Sequence, residues 1–287
     1  MALLVTTPTA VPRRWAFLPR LAVPYSGVIG GAVIVILIVV AILAPVIAPF
    51  DPDAIDAANG LGPISPQHWL GTDNLGRDIF SRIVFGSRLS LLGPLLVVAI
   101  STAVGVPLGL LGAYRGGAVD MILGRTWDLL LGFPALLLAI ALVATFSPGF
   151  STAVIAISII YVPLLARVVR SVVVVERQKA YVQAARVLGY GVFRVSFRHV
   201  LPTAVPTIVA QSTLNFGYAL LDLAGLAFLG MGVQPPTADW GVMLSDGRKV
   251  ILLSPNEVLS ASITIAVAVV AFNLLGDALT HRLAERT

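Results

Sequence analysis

The side chains that most often carry covalent chemistry are scarce in this sequence. There is no cysteine, which excludes a thiolate nucleophile, a Cys-ligated metal and a disulfide framework. The three histidines, His68, His199 and His281, lie far apart along the chain. The chain has no G-x-x-x-x-G-K-[ST] phosphate loop, no G-x-S-x-G elbow and no H-E-x-x-H pair. The sequence therefore predicts no catalytic residue, no metal site and no cofactor bound by this chain.

The composition indicates an integral membrane protein. Of 287 residues, 57% are hydrophobic and 11% are charged, with a mean hydropathy of +0.95, whereas soluble domains carry about 25% charged residues. Uncharged stretches of the roughly 20 residues that a membrane helix needs recur along most of the length. They leave no room for a soluble catalytic domain. The net charge of +5 does not indicate a nucleic-acid partner, because the basic residues gather where the positive-inside rule places them.

The apolar stretches predict an all-α integral membrane fold with six transmembrane helices. The first, 26–50, is too long for the apolar part of a signal peptide, which is roughly 7 to 15 residues. The second is 89–114, and a long run to residue 166 holds the third and fourth, divided by the Ser147-Pro148-Gly149 break. The fifth and sixth are 200–221 and 258–276.

Basic residues predict that both termini are cytoplasmic. With six spans, fourteen of the 19 Lys and Arg residues fall on the side of the N-terminus and five on the other side. The predicted order is a cytoplasmic tail (1–25), the first span (26–50), an outer segment with an amphipathic helix (51–88), a five-helix core (89–280) and a second cytoplasmic tail (281–287). The core includes a cytoplasmic loop, 167–199, and an outer loop, 230–257.

Two acidic residues fall inside the predicted spans, where ionisable side chains are expensive and often functional. Asp222 lies near the outer end of the fifth span and Asp128 near the inner start of the third. For each, a structural role is open, with a partner arginine or an interfacial position. The functional alternative is a place on a pathway for Asp222 and a cytoplasmic gate for Asp128.

The long cytoplasmic loop contains a helical pattern. Tyr181, Ala184, Ala185 and Leu188 recur at the spacing of one helical face, and Gly189 follows where a helix C-cap glycine is expected. This pattern by itself is typical of an amphipathic helix on the lipid interface, which basic neighbours would favour. The alternative is a surface that another protein approaches closely, because alanine and glycine leave room for it.

This loop resembles the EAA loop of bacterial ABC-importer permeases. The resemblance rests on Tyr181-Val182-Gln183-Ala184-Ala185-Arg186-Val187-Leu188-Gly189, followed by Leu201-Pro202. In that family the loop forms a coupling helix that docks into a groove of an ATPase subunit. Gln183 stands where the family usually has glutamate, so it keeps the side-chain length and a carbonyl group but loses the charge.

Two further segments resemble the C-type permeases of the dipeptide, oligopeptide and nickel group. One is the outer run from His68 to Arg82, in which Gly71-Thr72-Asp73 and Gly76-Arg77-Asp78 match the family signature. The other is Phe228 to Pro236 with Trp240-Gly241 and the later Ala271 to Asp277. The residues themselves predict an amphipathic helix after the Thr72-Asp73-Asn74 capping residues, acting either as a brace or as a docking site for a soluble binding protein.

The resemblance implies a multi-pass subunit of a bacterial inner membrane that does no covalent chemistry. The implied partners are a sister permease, two ATPase subunits or a fused pair that bind ATP and Mg²⁺, and an outer peptide-binding protein. The implied cargo is a dipeptide or oligopeptide, and Asp222 could then contact the peptide amino terminus. Alternatives are a nickel complex, glutathione, haem or an opine as cargo, or an ATP-independent channel or secondary transporter.

Overall fold

The computed structural model describes residues 23–284, and within that range all extended regular elements are helices. A π-helical turn at Ser196–Val200 leads into the long helix that begins at Leu201. The α-helices are α1 (Val23–Ile42), α2 (Ala44–Ile47), α3 (Ile79–Arg115), α4 (Gly117–Leu131), α5 (Ala135–Phe146), α6 (Phe150–Glu176), α7 (Ala180–Val187), α8 (Val192–Val195), α9 (Leu201–Phe228), α10 (Trp240–Gly247) and α11 (Asn256–Ala284).

Four of these helices, α1, α3, α6 and α11, are long and apolar enough to cross a membrane. The pair α4 and α5 qualifies as one further span, but it is bent by 89° at Gly132-Phe133-Pro134. Proline lacks the N–H that would continue the helix and its ring clashes with the preceding turn. The third predicted span is therefore a bent pair and not a straight helix.

Helix α9 corresponds to the fifth predicted span, but it lacks a stretch as uniformly apolar as those of α1, α3, α6 and α11. Its 28 residues extend about 42 Å, longer than the roughly 30 Å of a hydrocarbon core. Polar residues such as Gln211, Asn215 and Asp222 keep it below the hydropathy of the four apolar spans. The total of six membrane crossings and the side on which the termini lie stay predictions.

The amphipathic helix expected before residue 89 is not a separate element. It forms the first turns of α3, which continues without a break over 37 residues. Ile79 is buried against Met243 of α10 and Ala261 of α11, with Ile83 packed beside them. The apolar side chains Ile79 and Ile83 of this amphipathic segment therefore pack within the protein, because α10 and α11 supply apolar partners for them.

The centre of the fold is the close packing of α3 against α6. An added Cβ at Gly105 would lie 2.9 Å from the Val162 carbonyl oxygen, and one at Gly109 would lie 2.5 Å from the Ala166 carbonyl oxygen. Small residues at this four-residue spacing let two membrane helices approach to backbone contact. Around this pair, α9 packs on α3, α6 and α11, and α1 packs on α11.

Helix α10 closes one end of the bundle, the outer end in the predicted topology. Asp239 caps its N-terminus, accepting hydrogen bonds from the Gly241 and Val242 N–H groups at 2.9 and 3.2 Å and from the Ser90 hydroxyl at 2.7 Å. Burial raises the pKa of the Asp239 carboxyl above its ordinary value, although these donors oppose the shift. The Trp240 indole N–H donates to the Ile83 carbonyl at 2.9 Å, which fastens α10 to α3.

Candidate functional site

The loop that the sequence predicts to be cytoplasmic folds into α7 and α8, and α7 has two different faces. Val182 and Ala185 are 0% and 5% exposed, packed with Val195 and Val200 of the same chain. Ala184 is exposed, and Leu188, just after the helix, is 72% exposed. The sequence places Ala184 and Ala185 on one face. They lie on different faces, because Ala185 packs on the core beneath α7 and Ala184 points away from it.

Two side chains from the first turns of α7 bind the end of α6. The Tyr181 hydroxyl donates to the buried Glu176 carboxylate and, at 3.4 Å, to the His199 carbonyl. Partial burial, together with the hydrogen bond to Glu176, raises the pKa of Tyr181 to about 12. The Gln183 Nε2 group donates to the Arg177 carbonyl at 3.1 Å, at the C-cap of α6. These contacts hold α7 at a defined angle to a core helix.

The end of α7 and the start of α9 complete this corner. Gly189 has φ +80°, a left-handed conformation that glycine adopts without strain, and the Tyr190 N–H donates back to the Ala185 carbonyl at 3.1 Å. Leu201 packs against the same core cluster as Val182, and Pro202 lies exposed in the first turn of α9. Tyr181, Gln183 and Gly189 thus set the position of α7, and Ala184 and Leu188 face outward.

The signature segment from His68 to Arg82 forms a buried network of hydrogen bonds within this chain. Asp73 accepts from the Leu75 and Arg77 N–H groups at 2.8 and 2.9 Å and pairs with the Arg77 Nε at 2.6 Å. Thr72 accepts from the Gly62 N–H at 2.7 Å. Gly71 and Gly76 have positive φ, and a Cβ at Gly76 would lie 1.8 Å from a backbone oxygen. The segment therefore requires glycine at this position.

Asp78 links this network to the start of α3. Its carboxylate caps the helix by accepting from the Ser81 N–H at 2.8 Å and the Ser81 hydroxyl at 2.7 Å, and it pairs with the His68 Nδ1 at 2.9 Å. Thr72, Asp73, Arg77 and Asp78 are each at most 3% exposed. Because the hydrogen bonds of these side chains are made within the chain, the structure favours a role as a brace over direct docking of a soluble binding protein.

Two buried ionisable side chains lie beside this network. Arg82, the last residue of the signature run, is 0% exposed, and its Nη1 donates to the Pro52 carbonyl at 3.0 Å and pairs with Asp53 at 3.3 Å. Glu257, at the start of α11, is 2% exposed, and neither of its carboxylate oxygens has a hydrogen-bond partner among the described residues. Only the tertiary packing brings Glu257 near Asp73, so sequence spacing could not find it.

The predicted gate residue Asp128 pairs with Arg167 across α4 and α6. A second pair that sequence reasoning missed, Asp120 with Arg170, joins the same two helices. All four side chains line one cavity with Trp127. Asp128 therefore has the partner arginine of the structural alternative, which leaves a gate role untested.

The predicted pathway residue Asp222 has a different environment. The Tyr161 hydroxyl of α6, which sequence reasoning also missed, donates to Asp222 Oδ2 at 2.9 Å. No basic side chain among those that the structure describes in residues 23–284 pairs with this carboxylate. The loop residues around α7 and the two carboxylates Asp128 and Asp222 thus occupy separate sites.

Comparison with known proteins identifies the family. Residues 105–287 match the family described as binding-protein-dependent transport system inner membrane component, and residues 25–63 match the N-terminal TM domain of oligopeptide transport permease C. The dipeptide transport system permease protein DppC of Alkalihalophilus pseudofirmus is 41% identical over 256 residues, covering 89% of this chain and 84% of that protein.

One further relative and one solved structure are also similar to this chain. The glutathione transport system permease protein GsiD of Pectobacterium atrosepticum is 38% identical over 289 residues, covering 98% of this chain and 96% of that protein. A chain of the MetNI methionine ABC transporter, solved in inward-facing conformations, shares the fold with a TM-score of 0.58 and 17% identity, covering 71% of this chain and 97% of that chain. On these matches, the chain belongs to the family of binding-protein-dependent transport system inner membrane components, the permeases of ABC importers.

Proposed function

We propose that this chain is one of two permease subunits that form the membrane pathway of an ATP-driven importer of short peptides. Permeases of this family work in a membrane-embedded complex with ATPase and substrate-binding partners. The finer assignment of a sister permease, two ATPase subunits that bind ATP and Mg²⁺, and an outer peptide-binding protein belongs to the proposal.

The proposed coupling role rests on helix α7, which has one buried face and one exposed face. Its inner face packs on the core, and Tyr181 and Gln183 tie it to α6. Its outer face presents Ala184, Val187 and Leu188, the last two 88% and 72% exposed. A rigid helix with an open apolar face suits transmission of movement from a docked ATPase to α6 and α9.

Short peptides are the cargo class that the relatives favour. DppC is named a dipeptide permease and GsiD a glutathione permease, and glutathione is itself a tripeptide. A glutathione-like cargo is therefore the second candidate, since GsiD aligns with almost the whole chain. The proposed mechanism moves the cargo without covalent chemistry. ATP binding on the partners would bring the ATPases together, and α7 would pass that movement to the spans.

Uptake tests the proposal directly. Labelled di-, tri- and pentapeptides and glutathione are offered to a strain lacking this gene and to the same strain with the gene restored, with nickel and haem as competitors. Uptake of a peptide that disappears with the gene and returns with it supports peptide import. Equal peptide uptake in both strains, with loss of another cargo, would remove the peptide assignment and keep the permease.

The ATP-independent alternative is tested in the same strains. A substitution in the nucleotide site of the partner ATPase should abolish uptake while this chain remains in the membrane. Undiminished uptake in that strain would instead favour a channel or secondary transporter.

A further inference from the structure

Asp222 lacks the arginine partner that Asp120 and Asp128 of α4 have among the described residues. Asp120 and Asp128 each pair with an arginine of α6. Among the side chains described between residues 23 and 284, Asp222 contacts a single polar group, the Tyr161 hydroxyl at 2.9 Å. A carboxylate away from bulk water without a cation is costly, so it attracts any cation that can reach it.

Tyr161 holds this carboxylate in one orientation. The tyrosine is 4% exposed and packed in the core between α3, α5, α6 and α9, so its ring cannot swing away. Its hydroxyl occupies Asp222 Oδ2 and leaves Oδ1 free to accept a further hydrogen bond. Asp222 itself is half-buried. The arrangement is a fixed, accessible acceptor rather than a sealed core contact.

Asp222 also lies at the end of a polar stripe on α9. Thr207, Gln211, Tyr218 and Asp222 are separated by four, seven and four residues, which places them on one helical face. All four are at least partly exposed in this chain, Tyr218 by 53%. A stripe of polar side chains is unfavourable against hydrocarbon. This face of α9 therefore borders water or a polar partner.

We propose that Asp222 binds the protonated amino terminus of the transported peptide as it passes along this stripe. The ammonium group donates a charge-assisted hydrogen bond to Asp222 Oδ1, while Tyr161 keeps Oδ2 in place. A free amino terminus is the cation that short peptides share, whatever their side chains. The inference rests on the proposed peptide cargo and adds a site within the permease itself.

The first test asks whether Asp222 faces water with its charge uncompensated. Gly225→Cys places a thiol three residues further along the same face, and the added Cβ would lie 3.6 Å from Leu136 Cδ1, an ordinary contact. The chain has no native cysteine, so this thiol is the one reactive site in this subunit. The intact complex, with cysteine-free partners, is placed in lipid nanodiscs and treated with a cationic or an anionic methanethiosulfonate reagent.

We expect the cationic reagent to react about fivefold faster than the anionic one, from the attraction of one nearby carboxylate in a partly aqueous site. Asp222→Asn should bring the ratio close to one. Asp277→Asn, which removes an exposed carboxylate on α11, should leave the ratio unchanged. A thiol that reacts with neither reagent in any nucleotide state would overturn the proposal, as would equal rates with Asp222 present, which would indicate a cation from another subunit.

The second test asks whether the site recognises an amino terminus. Millimolar trialanine, added to the complex without its binding protein, should protect the thiol at position 225 in the parent and in Asp222→Glu. Protection should be about tenfold weaker in Asp222→Asn, because one charge-assisted hydrogen bond is lost. N-acetyl-trialanine should give no protection. Equal protection by both peptides would overturn the amine site.

These outcomes separate the inference from the proposed function. Normal peptide uptake in cells, combined with a failed charge or protection test, overturns the Asp222 site alone. If cells take up no peptide through this system, both the peptide cargo and the amine site at Asp222 are refuted. This holds even if the ratio of the two reagent rates shows that Asp222 is charged and faces water.

Discussion

Val182 and Val187 lie on opposite faces of α7 and offer a matched pair of substitutions. Val182 is 0% exposed and packs on the core of its own subunit, whereas Val187 is 88% exposed. Replacing either valine by alanine deletes the same two methyl groups. If the outer face of α7 docks an ATPase, Val187→Ala should weaken assembly and Val182→Ala should weaken the subunit itself.

The magnitudes follow from the exposed fractions. Two methyl groups are worth about 1.6 kcal/mol on burial. With 88% of Val187 available to a partner, its loss costs about 1.4 kcal/mol of docking free energy, a factor of about ten in Kd. Val187→Ala should change the stability of the subunit by less than about 0.5 kcal/mol. Val182→Ala leaves a cavity, so it should destabilise the subunit by about 2 kcal/mol.

The assay titrates purified ATPase subunits onto the permease pair in nanodiscs, followed by fluorescence anisotropy, with thermal unfolding measured in parallel. A Val187→Ala variant that unfolds normally and binds ATPase about tenfold more weakly supports docking on α7. A Val187→Ala variant that binds as tightly as the parent would refute the docking face, since 88% of this side chain has no other partner in the chain.

Three further substitutions test the framework around the site. Gln183→Glu removes the donor to the Arg177 carbonyl and puts a negative charge at the C-terminal end of α6. Thermal stability should therefore fall by about 1 kcal/mol, and the number of peptides moved per ATP should drop. An unchanged number of peptides per ATP would show that this contact does not position α7. Asp239→Ala removes the cap of α10 and its bond to Ser90 and should lower stability by about 2 to 4 kcal/mol, measured by denaturant unfolding in detergent; a loss under about 0.5 kcal/mol would contradict the cap. Gly109→Ala forces a Cβ to 2.5 Å from a backbone oxygen of α6 and should cost about 1 to 3 kcal/mol, whereas the control Gly124→Ala, with nothing within 4 Å, should unfold like the parent.

Local patterns predicted the helical elements but not how far each extends. A helix does follow the predicted capping residues Thr72, Asp73 and Asn74, but these residues do not cap it, because α3 begins at Ile79 and its N-cap is Asp78. The end of α3 at Arg115 lies one residue beyond the predicted second span, 89–114. The unbroken helix from Ile79 into that span was not predicted, because a membrane helix tolerates glycine and proline that would punctuate a soluble one. Pro94 and Pro107 lie inside α3, whereas Pro134 begins α5 after a sharp bend. The presence of a proline therefore does not show whether a membrane helix continues or bends at that residue.

The candidate site was predicted in part. The family signature pointed to the loop around α7, and Gly189 has the positive φ of a helix C-cap glycine. Periodicity could not tell Ala184 from Ala185, because both fit a wide helical stripe until the core beneath α7 is known. Tyr161, Asp120 and Glu257 were missed because their partners lie on other helices, far away in the sequence.

The sequence by itself determined that this protein is a helical membrane permease, because hydropathy and short ordered motifs belong to the chain before it folds. The tertiary structure alone decided which charges are neutralised and which faces stay open. Asp120 and Asp128 gained arginine partners from α6, while Asp222 contacts only the Tyr161 hydroxyl among the polar groups that the structure describes. The physical reason is that an ion pair between helices depends on their packing and register, which the side chains of one helix cannot specify.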